Sequence, residues 1–202
     1  MSAHRGKVTL VGAGPGAPDL VTLRGLAALR EADVVVYDSL APAALLDEAP
    51  LGAERIDVGR RGHEEPTRTQ EDISKLLVER ARAGLRVVRL KGGDPYVFGR
   101  GGEEGTACAA AGVEFDVVPG VSAAFAVPAV AGIPLTDRRY AASFAVVTGH
   151  KDPSAPRERL DLEGLARSAD TLVILMGMRN LDDLVARVLA GGRDPTTPAA
   201  AV

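Results

Sequence analysis

The strongest constraint on the fold is a regular alternation of valine-rich runs with stretches of helical periodicity. Residues 7–11 and 34–37 are short apolar runs of the length of buried strands, and residues 19–31 between them have helical periodicity. Strands that alternate with helices along a chain form a parallel sheet with crossover helices. The sequence therefore predicts an α/β fold.

The same alternation continues through the middle of the chain. A helical pattern begins at Thr69, where a capping box is expected, and ends at Gly84. Strands are predicted over 85–90 and 114–118, and a helix is predicted over 121–131. These elements belong to the first strand-helix series.

A second series occupies the last third of the chain. The pattern breaks at 132–136, after which strands are predicted over 143–148 and 171–175 and a helix over 180–190. Residues 198–202 look like the opening of one more strand. Two α/β domains are therefore expected.

We place the boundary after Leu135, which gives an N-terminal α/β domain over 1–135 and a C-terminal α/β domain over 136–202. A domain as short as the second one, ending within a strand, would be marginally stable by size alone. We therefore expect the second domain to be incomplete, truncated at its C-terminal end.

Composition and charge exclude several classes of function. The net charge of −3 gives no general electrostatic reason to bind nucleic acid or anionic lipid, and 3% aromatic residues argues against a base-stacking surface. No run reaches the roughly 18–20 apolar residues of a membrane span. The single cysteine, Cys108, cannot form an intrachain disulfide and is predicted to be a packed side chain. A cytoplasmic protein that binds neither nucleic acid nor membranes is expected.

A glycine-rich turn, Gly12 to Ala17, follows the first predicted strand. Its spacing fits the loose form of a dinucleotide-binding motif, with Asp38 as the ribose-binding acid. Pro15 and Pro18 weaken that interpretation because they remove amide donors where a pyrophosphate would bind. The glycine turn can therefore be interpreted as an NAD site or as a purely structural turn. Asp38 can likewise be a proton acceptor or a cap of the next turn.

The run from Arg89 to Glu104 has five glycines in eleven residues directly after a predicted strand. A glycine-rich loop of this length loses much backbone entropy on folding, and long loops of this kind usually carry function. Asp94 can accept hydrogen bonds from hydroxyl groups, and Tyr96 and Phe98 can cover a flat ligand. The alternative is a rigid turn followed by a helix cap.

Arginines gather near predicted strand ends although the whole chain is acidic. The candidate anchors for a polyanionic substrate are Arg60, Arg61, Arg100, Arg138 and Arg139, because arginine binds carboxylates in a bidentate manner. A solvated surface position is the alternative for each of them. The histidines lack partners at metal-ligand spacing, and no catalytic triad can be argued, so neither a metal nor a covalent nucleophile is predicted.

Taken together, these segments resemble the branch of the tetrapyrrole methylase family that methylates uroporphyrinogen III. The resemblance runs from Val8 to Val202. A single glycine motif has little specificity, whereas six motifs in order, with the central one nearly unbroken, are highly specific. The motifs are residues 11–16, 58–62, 89–104, 118–123, 131–136 and 175–178.

The resemblance implies a homodimer of two α/β domains, with S-adenosylmethionine in the cleft between the domains and a tetrapyrrole in an adjoining trough. The reaction it implies is methylation of uroporphyrinogen III at C2 and then C7. The product is precorrin-2, a precursor of sirohaem and cobalamin, and S-adenosylhomocysteine is released. The alternatives are a methylase of a later corrin precursor, an NAD-dependent oxidoreductase and a non-catalytic tetrapyrrole-binding protein.

The resemblance also implies roles for single residues. Asp38 matches the position of the proton acceptor, and Arg60 matches a catalytic position where some members carry a lysine as proton donor. Because a guanidinium does not release its proton near neutrality, we expect Arg60 to act as an electrostatic anchor. Arg61, Arg100 and Arg138 are expected to bind substrate. The positions that match cofactor contacts are Pro15, Gly92, Gly93, Asp94, Val97, Ser122, Ala123, Met176 and Ala199.

Overall fold

The structure is a computed structural model that describes residues 6–59, 68–150 and 160–202. The chain divides into two compact units, Met1–Ala123 and Ala124–Val202. The expected domain boundary after Leu135 lies later in the chain, and the expected domain bounds stay a prediction.

The described part of the first unit alternates strands and helices, as the sequence predicts. The elements are β1 (Lys7–Gly12), α1 (Leu23–Arg30), β2 (Val34–Tyr37), α2 (Ala43–Leu46), β3 (Glu54–Asp57), α3 (Gln70–Arg82), β4 (Arg86–Lys91), α4 (Gly101–Ala110) and β5 (Glu114–Val118). A short 3-10 helix, Pro18–Leu20, separates β1 from α1, so the helix predicted over 19–31 is split into two pieces.

The five strands of the first unit form one parallel sheet in the order β3-β2-β4-β1-β5. Val8 of β1 is paired with Val87 of β4 on one side and with Phe115 of β5 on the other. Neighbouring parallel strands must be joined by crossover segments, which the helices provide. The predicted α/β fold class is therefore confirmed.

Helices cover both faces of this sheet because successive strand residues point to opposite sides. Leu10 and Val36 pack with Leu77 of α3 in one core, where Cys108 of α4 is also fully buried. Val11, Val35 and other buried residues form the second core with α1 and α2. The prediction of Cys108 as a packed side chain is confirmed.

The α3 helix shows how local sequence sets an element. The Thr69 side chain accepts a hydrogen bond from Asp72 N at 3.1 Å, and Asp72 Oδ2 accepts one from Thr69 N at 2.9 Å. These reciprocal bonds form the predicted capping box. Ile73, Leu77 and Ala81 then fall on one side of the helix and are buried against the sheet.

The second unit is smaller. Its elements are α5 (Ala123–Val130, which begins on the last residue of the first unit), β6 (Phe144–Thr148), α6 (Leu162–Ser168), β7 (Thr171–Leu175) and α7 (Leu181–Ala190). β6 and β7 pair in parallel, and Val147, Leu162 and Leu184 form the buried core. Residues 198–202 belong to no strand, so the strand expected there is wrong.

Candidate active site

The carboxyl ends of β1 and β4 form the switch point of the first sheet. The chain leaves β1 toward α1 on one face and leaves β4 toward α4 on the opposite face. Connections that diverge from neighbouring parallel strands leave a crevice between them, and open α/β sheets bind ligands there. Both glycine-rich segments of the sequence begin at this crevice.

Three backbone segments meet at the crevice, and two of their glycines, Gly12 and Gly120, leave no room for a side chain. A Cβ on Gly12 would lie 2.5 Å from Gly120 Cα, and one on Gly120 would overlap Gly93 O. Gly14 and Gly93 exchange backbone hydrogen bonds of 3.3 and 2.7 Å, and both have positive φ angles that glycine adopts without steric cost. Together these glycines form a backbone floor, which we call the glycine floor: Gly12, Gly14, Gly93 and Gly120.

Asp94 ties the glycine floor together. Its Oδ2 accepts a hydrogen bond from Gly120 N at 3.0 Å, and its Oδ1 accepts one from Tyr96 N at 2.8 Å. A carboxylate offers about four acceptor positions, so both oxygens can still accept from a ligand hydroxyl. Asp94 was predicted to accept hydrogen bonds from a ligand, and some of its acceptor positions are occupied by N–H groups of the protein itself.

Asp38 follows β2 at the same edge of the sheet. Its Oδ1 accepts long hydrogen bonds from Leu40 N at 3.2 Å and Gly92 N at 3.4 Å, while its Oδ2 lies 3.4 Å from Arg89 Nη2. The side chain is 24% exposed, so a molecule bound at this edge can reach the carboxylate. The geometry fits a proton acceptor.

Two further glycines allow the segment after β2 to run close to the neighbouring strand ends. A Cβ on Gly59 would overlap Ser39 N, and a Cβ on Gly92 would lie 2.6 Å from Leu40 Cβ. The segment that carries Asp38 is therefore held between the ends of β3 and β4. Side chains at either glycine would displace it.

A group of charged side chains is buried directly beneath Asp38, between β4 and α4. We call Arg89, Lys91 and Glu104 the buried charge cluster; each is at most 3% exposed. Glu104 Oε1 accepts hydrogen bonds from Arg89 Nε at 3.1 Å, Lys91 Nζ at 3.2 Å and Gln70 Nε2 at 3.2 Å. Glu104 Oε2 lies 3.1 Å from Lys91 Nζ in a charge contact that lacks hydrogen-bond geometry.

Burial shifts the pKa of one member of this cluster, Lys91. Desolvation lowers the pKa of Lys91 below its ordinary value, and the neighbouring Arg89 guanidinium lowers it further, while Glu104 opposes both effects. Lys91 therefore loses its proton more readily than a surface lysine.

The loop between β4 and α4 holds exposed and strained residues. Phe98 and Arg100 have φ angles of 53° and 58°, a left-handed conformation that costs energy for non-glycine residues and is frequent at functional sites. Tyr96 and Phe98 are 55% and 44% exposed. Arg100 Nη2 lies 2.7 Å from Glu103 Oε2, and hydrogen bonding to Arg100 lowers the pKa of Glu103.

The structure brings most of the predicted cofactor residues together within the first unit. Ser122 is 5% exposed, and its Cα lies 3.9 Å from the position of a Cβ on Gly93. Val97 N donates to Asp94 O at 3.4 Å. The predicted residues of the first unit are Pro15, Gly92, Gly93, Asp94, Val97, Ser122 and Ala123.

The remaining predicted residues lie elsewhere. Met176 directly follows β7 in the second unit, has a positive φ of 57° and is 57% exposed, and Ala199 is exposed in the same unit. Arg138 is exposed in the turn that is closed by the bridge between Asp137 and Ala141. Arg60 and Arg61 lie outside the described residues. The individual roles of all these residues stay predictions.

Sequence reasoning missed the buried charge cluster and the packing role of Gly59. The signal for the two cations was present in the sequence, because Arg89 and Lys91 alternate with Val88 and Leu90 along β4. A period of two places both charges on one face of the sheet. Their partner, Glu104, lies 13 residues beyond Lys91 in the sequence, on α4.

The described residues contain no group of three or more histidine, cysteine, aspartate or glutamate residues placed to hold a metal ion. No helix within the described ranges is both long and apolar enough to cross a membrane. The fold and the site thus define a protein of the α/β class with a candidate ligand site at the switch point of a parallel sheet.

Comparison with known proteins gives the family. The family model described as tetrapyrrole (corrin/porphyrin) methylases matches residues 7–202. A uroporphyrinogen-III C-methyltransferase of Methanocaldococcus jannaschii is 52% identical over 198 residues, which cover 98% of this chain and 81% of the relative. The chain belongs to the tetrapyrrole methylase family.

Solved structures agree with this assignment. A crystal structure of uroporphyrin-III C-methyl transferase from Thermus thermophilus, complexed with S-adenyl homocysteine, has a TM-score of 0.79 and 45% identity, and the match covers 94% of this chain and 78% of the other. A cobalt precorrin-4 methyltransferase of cobalamin biosynthesis has a TM-score of 0.80 but only 28% identity, with 93% and 76% covered. The likeness in fold extends across the family, while the sequence is more similar to the uroporphyrin-III enzyme.

Proposed function

We propose that this chain transfers methyl groups from S-adenosylmethionine to uroporphyrinogen III, at C2 and then at C7, to give precorrin-2. The observation that carries the proposal is 52% identity, across 98% of the chain, to a protein named uroporphyrinogen-III C-methyltransferase. The arrangement of the first unit supports it, because the carboxylate of Asp38 lies beside the loops that form the glycine floor.

The glycine floor suits a nucleoside-type methyl donor. A Cβ on Gly93 would meet its nearest atom at 3.9 Å and one on Gly16 would meet nothing within 4 Å, so a ligand can approach the backbone at both places. The donor would be held by Pro15, Gly93, Asp94 and Ser122. In the Thermus thermophilus structure, the bound molecule is S-adenyl homocysteine. When bound, the donor supplies a sulfonium methyl carbon that is already strongly electrophilic.

The protein's own chemical task is then alignment, exclusion of water and removal of a proton. A pyrrole carbon forms the new bond to the methyl carbon as the bond from that carbon to sulfur breaks, and the ring system must afterwards lose a proton. Asp38 is the carboxylate placed to accept it, with backbone N–H groups of Leu40 and Gly92 donating to its Oδ1.

Arginines would hold the carboxylates of the substrate. Arg100 is exposed on the strained loop after β4, and Arg138 is exposed in the second unit. Arg60 and Arg61 follow Gly59 in the sequence and share the same chemistry. Bidentate pairing of guanidinium with carboxylate gives orientation as well as affinity, which a two-site methylation requires.

Two alternative functions are less favoured. A methylase of a later corrin precursor has the same fold, but identity to the cobalt precorrin-4 enzyme is 28%, against 52% and 45% for the two uroporphyrinogen-III relatives. An NAD-dependent oxidoreductase would need amide donors at the first glycine turn, where Pro15 has none.

We further infer a homodimer in the cytoplasm. The resemblance to the family supports the dimer, and the presence of a single cysteine in the sequence supports a reducing compartment. Sedimentation equilibrium should give twice the 20.9 kDa of one chain. A mass of one chain at micromolar concentration would contradict the dimer.

The direct test of the proposed function is incubation with S-adenosylmethionine and uroporphyrinogen III under anaerobic conditions. The expected product carries two additional methyl groups by mass and appears with two equivalents of S-adenosylhomocysteine. Cobalt precorrin-4 and NAD with a range of alcohols are the comparison substrates. Methylation of the corrinoid alone, or reduction of NAD alone, would contradict the proposal.

A further inference from the structure

The buried charge cluster connects the interior of the first unit to Asp38. Arg89 is the link, because its single guanidinium contacts carboxylates on both sides: Nε lies 3.1 Å from Glu104 Oε1, and Nη2 lies 3.4 Å from Asp38 Oδ2. Glu104 is completely buried, while the Asp38 side chain is 24% exposed. The guanidinium therefore stands between a buried anion and an accessible one.

Backbone contacts fix the orientation of this guanidinium. Nη1 of Arg89 donates to Leu90 O at 3.1 Å and lies 3.5 Å from Val36 O, at the ends of β4 and β2. Donors in a planar fork cannot turn independently. Once Glu104 and the two carbonyls are satisfied, Nη2 must point toward Asp38.

Stability alone does not account for such a cluster. Burial of charged groups is unfavourable, and apolar replacements of similar volume are often neutral or stabilising. The surrounding core of valines and leucines would accept such residues. The arrangement is explained better if the cluster acts on Asp38, the partly exposed carboxylate that Arg89 contacts.

We propose that Arg89, held from behind by Glu104, is a positioning residue that orients the carboxylate of Asp38 for proton removal. The inference rests on the proposed function and adds to it a part of the protein that does not touch substrate. Asp38 receives N–H donors on Oδ1 and the guanidinium on Oδ2. With these contacts in place, the carboxylate plane is fixed relative to β4 and the glycine floor.

The test is a double-mutant cycle on turnover with Arg89→Lys and Asp38→Asn. A lysine keeps the positive charge that Glu104 requires, but its single ammonium cannot span both carboxylates. In the native background, we expect Arg89→Lys to lower kcat about tenfold or more, with KM for both substrates and the affinity for S-adenosylhomocysteine changed by less than about twofold. In the Asp38→Asn background, the same change should have almost no further effect.

A second variant tests the same role independently, so that the test still works if the first variant misfolds. Glu104→Gln keeps the shape of the side chain and removes the charge that holds Arg89 in place, so we expect the same pattern with a smaller loss of kcat. Equal losses in the native and Asp38→Asn backgrounds, for either variant, would overturn the positioning role and leave a structural one. So would unchanged kcat in both variants.

Failure of the proposed function gives a different result. If the native protein forms no dimethylated product, then the proposed function is wrong and the positioning role falls with it. If the native protein is active and the cycle is additive, then only the positioning role is wrong. The two failures are therefore distinguished by the native protein alone.

Discussion

At the scale of single residues, the proposed proton removal depends on where the carboxylate of Asp38 is held. Asp38 is placed by the chain geometry around it: Ser39 lies against Gly59, and Leu40 lies against Gly92. Its carboxylate then receives backbone donors and the Arg89 guanidinium. Two kinds of change should therefore impair turnover, one that removes the carboxylate and one that moves it.

Replacing Asp38 by asparagine removes the proposed proton acceptor and keeps the shape of the side chain. We expect kcat to fall by about 100-fold or more, within the range measured for general bases, while the affinity for S-adenosylhomocysteine stays within about twofold. Steady-state methyl-transfer kinetics and isothermal titration calorimetry measure these two quantities. The matched control is Asp47→Asn, an exposed aspartate at the end of α2, which should leave both unchanged. Undiminished turnover of Asp38→Asn would exclude its role as the base.

Gly59→Ala should move the carboxylate without removing it. The added Cβ overlaps Ser39 N, so the segment after β2 must shift, and overpacking of this kind costs about 1–3 kcal/mol. We expect lower kcat together with a lower free energy of unfolding in urea. Gly52→Ala is the control, because a Cβ there meets nothing within 4 Å and should leave both quantities nearly unchanged. Equal effects of the two alanines would contradict the packing argument.

At the scale of elements, long periodic segments could be predicted and short edge elements could not. The helix after Thr69 and the strand Glu114–Val118 follow from capping and apolar patterns within their own sequence. β3 (Glu54–Asp57) was missed because it is an edge strand with three charged residues out of four, and its pairing with β2 determines its conformation. α2 (Ala43–Leu46) has only four residues, too few for a periodic signal.

The same distinction applies to the candidate site. The glycine-rich loops were predictable because glycine and loop length are local signals. The pairing of Arg89 with Glu104 was not, because it depends on α4 packing over β4, and no local pattern encodes that contact. The overlap at Gly59 likewise depends on the spacing of two neighbouring strands.

An ion pair between α6 and α7 gives the second unit a specific pH dependence. Arg187 Nε lies 2.8 Å from Glu163 Oε1, and hydrogen bonding to Arg187 lowers the pKa of Glu163 from 4.5 to about 2. Because the pKa is lower in the folded state, the stabilisation is fully present above about pH 4.5 and is lost as the pH falls toward about 2. Glu163→Gln should flatten this part of the curve of unfolding free energy against pH.

Urea unfolding at a series of acidic pH values measures this effect. The control is the same substitution in an Arg187→Gln background, where the partner is gone and Glu163→Gln should change the slope much less. An equal change in slope in both backgrounds would show that the pH dependence does not come from this ion pair.

At the scale of the whole molecule, the proposed function predicts which ligand stabilises the protein. A ligand that binds only the folded state raises the free energy of unfolding by about 2.7 kcal/mol at 100 times its dissociation constant. S-adenosylhomocysteine should produce this increase in urea unfolding, whereas NAD at the same concentration should leave the midpoint unchanged. If NAD stabilised the protein and S-adenosylhomocysteine did not, the first glycine turn would be a dinucleotide-binding site instead.

The most direct measurement of the central claim is the position of the transferred methyl groups. The protein would be incubated anaerobically with uroporphyrinogen III and S-adenosylmethionine labelled with carbon-13 in the methyl group, and the product would be examined by carbon-13 NMR. The account predicts two labelled methyl groups, on C2 and C7, with the first appearing before the second. A product without label, or with label at other ring positions, would contradict it.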